Sequence, residues 1–328
     1  MARTVLLITN TNDGDHTDKV EAGIRARGWE AVRLNTDRLA TEITVSYRFV
    51  NGSKSIIGIH TANKMVDLAV VTNVWYRRPE PPTLTISNEA QREFAIGEYE
   101  EFLNNLWFIL RDRFWVNDFL ALVRARPKLP QLDVASSLGF KVPQTCVTNN
   151  PKVFREFYEQ HRQLIYKTLR RPYIGTRERI EYSVPTSRIE EKHLSDIERL
   201  LPNAPGFFQE YIQKQYEVRV TIIGNQVFAA KIESAAGPVP VTDWRSGVAR
   251  GTIEVSSFQV PTLIEEQCRK FLNYYNLRFG AIDLICNPEG EYVFLENNPN
   301  GQWFWIEHLT RQPLTDSMCE LLTSPRRR

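Results

Sequence analysis

The stretch GAIDLICNPEGEYVFLENNPNG, residues 280–301, constrains this chain more than any other. Two apolar runs flank Asn287-Pro288-Glu289-Gly290, residue types that turn the backbone, so the segment folds back as a β-hairpin. Side chains alternate faces along a strand, which puts Glu296 and Asn298 on one side before Pro299 and Gly301 end it. A two-residue turn at Glu289–Gly290 predicts a register with Asp283 directly opposite Glu296. Like charges held about 5 Å apart across a strand pair destabilise it. A carboxylate beside Phe294 and Leu295 is also costly unless paired or bound to a cation. With Asn298 the two acids make an all-oxygen set suited to Mg2+, which keeps waters and borrows further ligands from phosphates. A solvated hairpin face is the duller reading of the same spacing.

At 328 residues the chain is long enough for two or three domains. Lys plus Arg number 41 against 39 Asp plus Glu, and a net charge of +2 gives no reason to expect nucleic acid or a membrane as partner. Cys146, Cys268, Cys286 and Cys319 are scattered with no Cys-x-x-Cys pair, which argues against a zinc site or disulfide framework and fits a reducing cytoplasm. The N-terminal apolar run, about five residues, is too short for a signal sequence or a membrane span.

Residues 1–85 alternate strand and helix signals. TVLLIT (4–9) reads as a buried strand, and residues 17–28 as a helix with Val20 and Ile24 on one face and Gly28 as its stop. Strand signals at 31–35, 43–50, 55–60 and 67–78 complete a small Rossmann-like α/β unit without a Gly-x-Gly-x-x-Gly turn. The pattern predicts a long amphipathic helix over 89–114, its apolar face carrying Phe94, Phe102, Leu103, Leu106, Ile109 and Leu110. Further helices are expected at 128–138, from Asn150–Pro151, at 261–275 and between 312 and 323. Strands are expected at 163–169 and 206–212, with a hairpin turning at Gly224–Asn225. The charged stretch 170–183 reads as a mobile loop or hairpin. Domain boundaries fall near 117 and 205, giving units 1–117, 118–205 and 206–328.

This order of features resembles the ATP-grasp ligases: a basic Lys128, Lys167 within a strand, QEYI, an acid-x-Arg strand, then Asp…Glu-x-Asn. DWRSGVARGTIE (243–254) is similar to the phosphate-contacting segment of the ribosomal-protein glutamate ligase group. VWYRRP (74–79), LNTDRL (34–39) and the ending ENNPNGQWFW resemble the microviridin-type (graspetide) peptide macrocyclases, and the likeness covers nearly the whole chain. It implies an α/β chain with an ATP-grasp fold and an N-terminal Rossmann-like pre-ATP-grasp domain.

The resemblance implies roles residue by residue. Lys128 and Lys167 approach the ATP phosphates; Glu210, with the backbone of Tyr211 and Ile212, forms the adenine hinge; Glu217 holds the ribose. Asp283, Glu296 and Asn298 hold Mg2+, and Arg219 and Arg245 stabilise the transferring phosphoryl group. These residue types fit phosphoryl transfer, which is catalysed by positioning and charge neutralisation. Strand parity alone puts Glu217 and Arg219 on one face and Lys231 on the other. Each has an ordinary rival: Lys128 as a solvated helix start, Glu210 and Glu217 as surface acids, Arg219 as partner of Glu217. Arg77 and Arg78 fit a domain interface or a peptide carboxylate equally, and Arg245 and Arg250 fit a loop grip. The segment after Lys167 holds one glycine, Gly175, where related ligases carry a glycine-rich lid; Arg170, Arg171 and Arg177 stand there instead.

The implied activity is ATP-dependent macrocyclisation of a ribosomally made precursor peptide. An Asp or Glu side chain is activated as an acyl phosphate, and Thr or Ser (lactone) or Lys (lactam) attacks it. The partner would be a precursor with a helical leader, docked near TSRIEEKHL (186–194) through Glu190 and Glu191, and the enzyme a cytoplasmic homodimer. A ligase adding a free amino acid, and a non-catalytic ATP-binding module, are the two competing readings.

Overall fold

The computed structural model describes residues 3–52, 56–61, 64–170, 173–175, 180–234 and 253–324. The expected α/β architecture is present, organised on separate sheets. The N-terminal sheet has the parallel order β2-β1-β6-β7, from β1 (Thr4–Thr9), β2 (Glu30–Asn35), β6 (Val71–Tyr76) and β7 (Phe114–Val116). Every residue of β1 is buried, as its unbroken apolar run requires of a strand covered on both faces. Helix α1 (Gly14–Ala26) covers one face with Val20 and Ile24. An antiparallel sheet of β3 (Thr44–Arg48), β4 (Ile56–Thr61) and β5 (Lys64–Asp67) is inserted before β6.

Helix α2 (Glu89–Ile109) ends five residues before the expected 114, because the chain enters β7 there. Phe94 is 71% exposed and Ile109 44%, so the predicted apolar face is wrong at both; Leu103, Leu106 and Trp107 are the buried anchors. A short α3 (Phe119–Ala125), capped by the Asp118 carboxylate accepting from Leu120 and Ala121 N–H, precedes α4 (Lys128–Ser137).

The central antiparallel sheet runs β12-β9-β13-β8, from β8 (Thr145–Thr148), β9 (Leu164–Lys167), β12 (Ser187–Arg188) and β13 (Gly206–Glu210). The charged stretch forms β10 (Tyr173–Gly175) paired with β11 (Ile180–Ser183). Leu164 and Phe208 face α5 (Pro151–His161) and α6 (Leu194–Leu200), where Phe154 and Leu194 complete a small core. Alternation turns Ile165, Lys167 and Gln209 to the other face.

The C-terminal sheet is antiparallel, β16-β15-β14-β17-β18: β14 (Tyr216–Ile223), β15 (Gln226–Ser234), β16 (Ile253–Phe258), β17 (Phe279–Cys286) and β18 (Tyr292–Asn298). One face, carrying Val218, Val220, Ile282, Leu284 and Phe294, packs on Cys268, Phe271 and Leu272 of α7 (Thr262–Tyr274). Burying a side chain such as Phe271 or Phe294 stabilises by about 1.5–3 kcal/mol. The chain closes with α8 (Phe304–Thr310) and α9 (Leu314–Thr323), whose Met318 and Leu322 pack against α1 and Trp75 of the N-terminal sheet.

The hairpin register departs from expectation in an instructive way. Near the turn Cys286 pairs with Tyr292 and Leu284 with Phe294, one residue short of the predicted pairing. The loop is longer than two residues: Asn287 N–H donates to Glu291 O, and Gly290 takes φ +79, a conformation glycine enters without steric cost. A bulge at Leu295 restores the register, so Asp283 does face Glu296.

A candidate nucleotide and metal site

A cavity of about 550 Å³ lies between the exposed faces of the central and C-terminal sheets. Nine of the eleven predicted residues line it: Lys128, Lys167, Glu210, Tyr211, Ile212, Glu217, Asp283, Glu296 and Asn298. Arg219 does not line it but lies beneath Asp283. Arg245, with Arg250, Arg171 and Arg177, falls outside the described residues.

Asp283, Glu296 and Asn298 come together as the register requires, Asn298 Nδ2 donating to Glu296 Oε1 at 3.2 Å. Lys128, at the first turn of α4, places Nζ 3.4 Å from Glu296 Oε2 and donates to Thr168 O at 3.3 Å. Arg219 Nη1 donates to both oxygens of Asp283, at 2.8 and 2.9 Å, so Asp283 is a partner of this buried guanidinium. Glu217 pairs with Lys214, a cavity residue that the sequence reading did not select. All donors in the trio are hard oxygens and each carboxylate oxygen has spare lone pairs, so the set fits Mg2+ shared with phosphates. Among the described residues no group of three His, Cys, Asp or Glu is placed to hold a metal ion. Two acids and an amide leave coordination positions for phosphate oxygens and water.

At the opposite end the C-terminal end of β13 carries the predicted hinge. Glu210 is tied down, its Oε1 accepting from Gln144 N–H and its own N–H donating to Gln144 O. Tyr211 N–H donates to Gln163 O, and the Arg188 guanidinium stacks 3.6 Å from the Tyr211 ring centre. Next to the hinge, Gln209 was missed. Thr145 Oγ1 donates to the Pro143 carbonyl, so its oxygen accepts from Gln209 Nε2 at 2.9 Å. That bond fixes the amide orientation and leaves Gln209 Oε1 buried without a partner on the cavity-facing side of β13. A ligand bearing an N–H donor, such as an aminated nucleobase, would satisfy it.

The turn after β18 is clamped from both sides. Arg77, buried in the N-terminal unit, donates from Nη1 to Asn300 O (2.8 Å) and Gly301 O (2.9 Å), while Nε reaches Asp13 at 2.8 Å. It is thus an interface residue, whereas Arg78 beside it is half exposed and lines the cavity. A Cβ on Gly301 would lie 2.7 Å from Arg219 Nη2 and 2.8 Å from Ala281 Cβ, which accounts for glycine there. His16 Nε2 accepts from Trp303 and Phe304 N–H at the start of α8. Burial, reinforced by Arg77, pushes the His16 pKa down to about 4, so the ring is neutral. Asn117 Oδ1 accepts from Arg278 and Phe279 N–H while its Nδ2 donates to Phe279 O and Pro299 O. These neutral clamps give no periodic or charge signal, so sequence reading had no purchase on them.

Two sheets gripping a basic, acid-lined cavity are the architecture of the ATP-grasp fold, and the comparisons place the chain within it. The MvdD pre-ATP-grasp domain model matches residues 4–122. The macrocyclase MdnC from Microcystis aeruginosa, solved with its precursor peptide MdnA, is 30% identical, with 97% of this chain and 99% of that one covered at a TM-score of 0.86. A RiPP-associated ATP-grasp ligase from Chryseobacterium gregarium, solved with ADP and a leader and core peptide, is 32% identical over 99% and 98%, TM-score 0.85. A probable alpha-L-glutamate ligase of Saccharophagus degradans is 26% identical over 223 residues, 66% of this chain and 69% of that protein. The chain belongs to the ATP-grasp ligase family of RiPP macrocyclases, those acting on ribosomally made peptides.

Proposed function

We propose that this chain uses ATP to macrocyclise a precursor peptide. The observation that carries the reading is the convergence of Lys128, Lys167, Asp283, Glu296 and Asn298 on one cavity in a chain of this family. The peptide's Asp or Glu carboxylate oxygen attacks the γ-phosphorus, ADP leaves, and the carboxyl becomes an acyl phosphate. A Thr or Ser hydroxyl, or a Lys amine, then attacks the acyl carbon and phosphate leaves, so the peptide loses one water per bond. A free carboxylate is a poor electrophile, and this division turns one hard step into two easier ones.

Lys128 and Lys167 neutralise phosphate charge, the Glu210–Ile212 edge seats adenine, with Gln209 as an added acceptor, and Glu217 takes the ribose once Lys214 yields. Asp283, Glu296 and Asn298 hold Mg2+, which supplies charge neutralisation at the phosphates. Arg219 keeps Asp283 in place, and Arg245 completes the phosphoryl contacts. Arg78, which lines the cavity, meets the peptide carboxylate. A leader helix docks along 186–194, where a basic side chain competes with Lys192 for Glu190, now paired at 2.6 Å. Separate sheets support the three-part division near 117 and 205. Four unbridged cysteines fit a cytoplasmic enzyme; family membership supports a homodimer.

The test incubates the full chain, ATP and Mg2+ with short peptides encoded beside it. Water loss seen by mass spectrometry supports the reading. A mass gain in the presence of free amino acids points to the amino-acid ligase, and nucleotide binding without ADP release points to a binding module.

A further inference from the structure

We propose that Gln131 is a positioning residue that locks the metal-binding edge of β18 to the helix carrying Lys128; this rests on the ligase reading above. Strand β18 is the outermost of its sheet, and an edge strand leaves half its backbone groups without a ladder partner. At Asn297, the residue between Glu296 and Asn298, the partner is a side chain. Gln131 Oε1 accepts from Asn297 N–H at 2.7 Å, and Gln131 Nε2 donates to Asn297 O at 3.0 Å. One carboxamide thus does what a neighbouring strand would do, at the single point between the two ligand positions. The same Nε2 donates to Ala125 O at 2.6 Å, which ties the joint to the end of α3.

The Asn297 side chain contributes nothing to this hold. It points to the opposite face, against Gly280, and neither its Nδ2 nor its Oδ1 has a hydrogen-bond partner. Gln131 is 1% exposed and one helical turn beyond Lys128, on the same helix. Through it the Lys128 ammonium, 3.4 Å from Glu296, and the β18 oxygens share one frame. Without it core packing still holds α4 against β18, but the spacing between the lysine and the acids loosens. Gln131 touches no ligand; its effect passes entirely through the Asn297 backbone.

The test measures ADP binding to the full chain by calorimetry, in EDTA and in excess Mg2+, and takes the factor by which Mg2+ tightens it. Wild type shows a clear factor; its absence would overturn the ligase reading itself rather than the role of Gln131. In Gln131→Leu the factor falls by about 10–100-fold, the usual loss when a group orienting metal ligands is removed, while affinity in EDTA stays near wild type. Gln131→Glu gives the discriminating arm and covers a Leu variant that fails to fold. Its protonated acid keeps the acceptor and one of the two donations, whereas its ionised form sets a charge against two carbonyls. Burial raises that pKa, so the factor stays closer to wild type at about pH 6 and collapses at about pH 9. A factor equal to wild type at both pH values in folded Gln131→Glu overturns the proposal. So does a loss that is the same at both.

Discussion

Arg219 on β14 and Asp283 on β17 sit directly opposite each other, joined by two hydrogen bonds of 2.8 and 2.9 Å with both side chains almost wholly buried. Removing one member of such a pair strands a charge in the interior, at a cost of about 3–5 kcal/mol, whereas removing both is often tolerated. Urea unfolding should therefore find the Arg219→Leu, Asp283→Leu double variant more stable than either single variant. Additive losses would mean that the two side chains do not depend on each other.

The neutral His16 accepts two backbone N–H groups at α8 and predicts an acid sensitivity. Its pKa lies near 4 when folded against an ordinary 6.5. Above the ordinary value both states hold a neutral ring and nothing is gained or lost. As pH falls through that window the unfolded chain binds a proton the folded one refuses, so stability declines by up to about 3 kcal/mol. His16→Gln, which keeps an acceptor but cannot titrate, should lose less stability than wild type between those pH values. Equal losses in the two proteins would contradict the neutral-ring assignment.

Gln209 Oε1, fixed as an acceptor by Thr145, predicts base selectivity. An adenine amino group satisfies it, and the carbonyl of inosine or guanine does not. Wild type should use ATP in preference to ITP, and Gln209→Leu should shrink the ratio of the two kcat/KM values by about 10-fold, the worth of one buried hydrogen bond. An unchanged ratio would remove Gln209 from base recognition.

Much of this site was legible because charge in an apolar strand is expensive and therefore informative. Lys167, Glu217, Arg219 and Asp283 stand out in the sequence for that reason, and strand parity put Glu217 and Arg219 on one face and Lys231 on the other, as found. The facing of Asp283 and Glu296 was reached by a wrong route: the loop is longer than two residues, and the Leu295 bulge cancels the error. Bulges arise from packing and leave little local trace. Helices α3 and α8, seven residues each, are too short for a periodic signal, and α2 overran because β7 competes for residue 114. Gln131, Asn117 and Asp13 act over 64 to 182 residues of chain through backbone groups or a single ion pair, which no spacing rule can reach.

The central claim is that two acids on one β-hairpin, with Asn298, make the divalent-metal end of a working ATP site. The direct measurement compares wild type with the Asp283→Asn, Glu296→Gln variant, following ADP release and the mass of a cognate precursor together, with circular dichroism confirming the fold. The account predicts that wild type releases ADP as the peptide loses water, and that the folded variant falls by at least about 100-fold in both, the scale set by removing charge stabilisation from a phosphoryl-transfer site. A folded variant that releases ADP and modifies the peptide at the wild-type rate would contradict it.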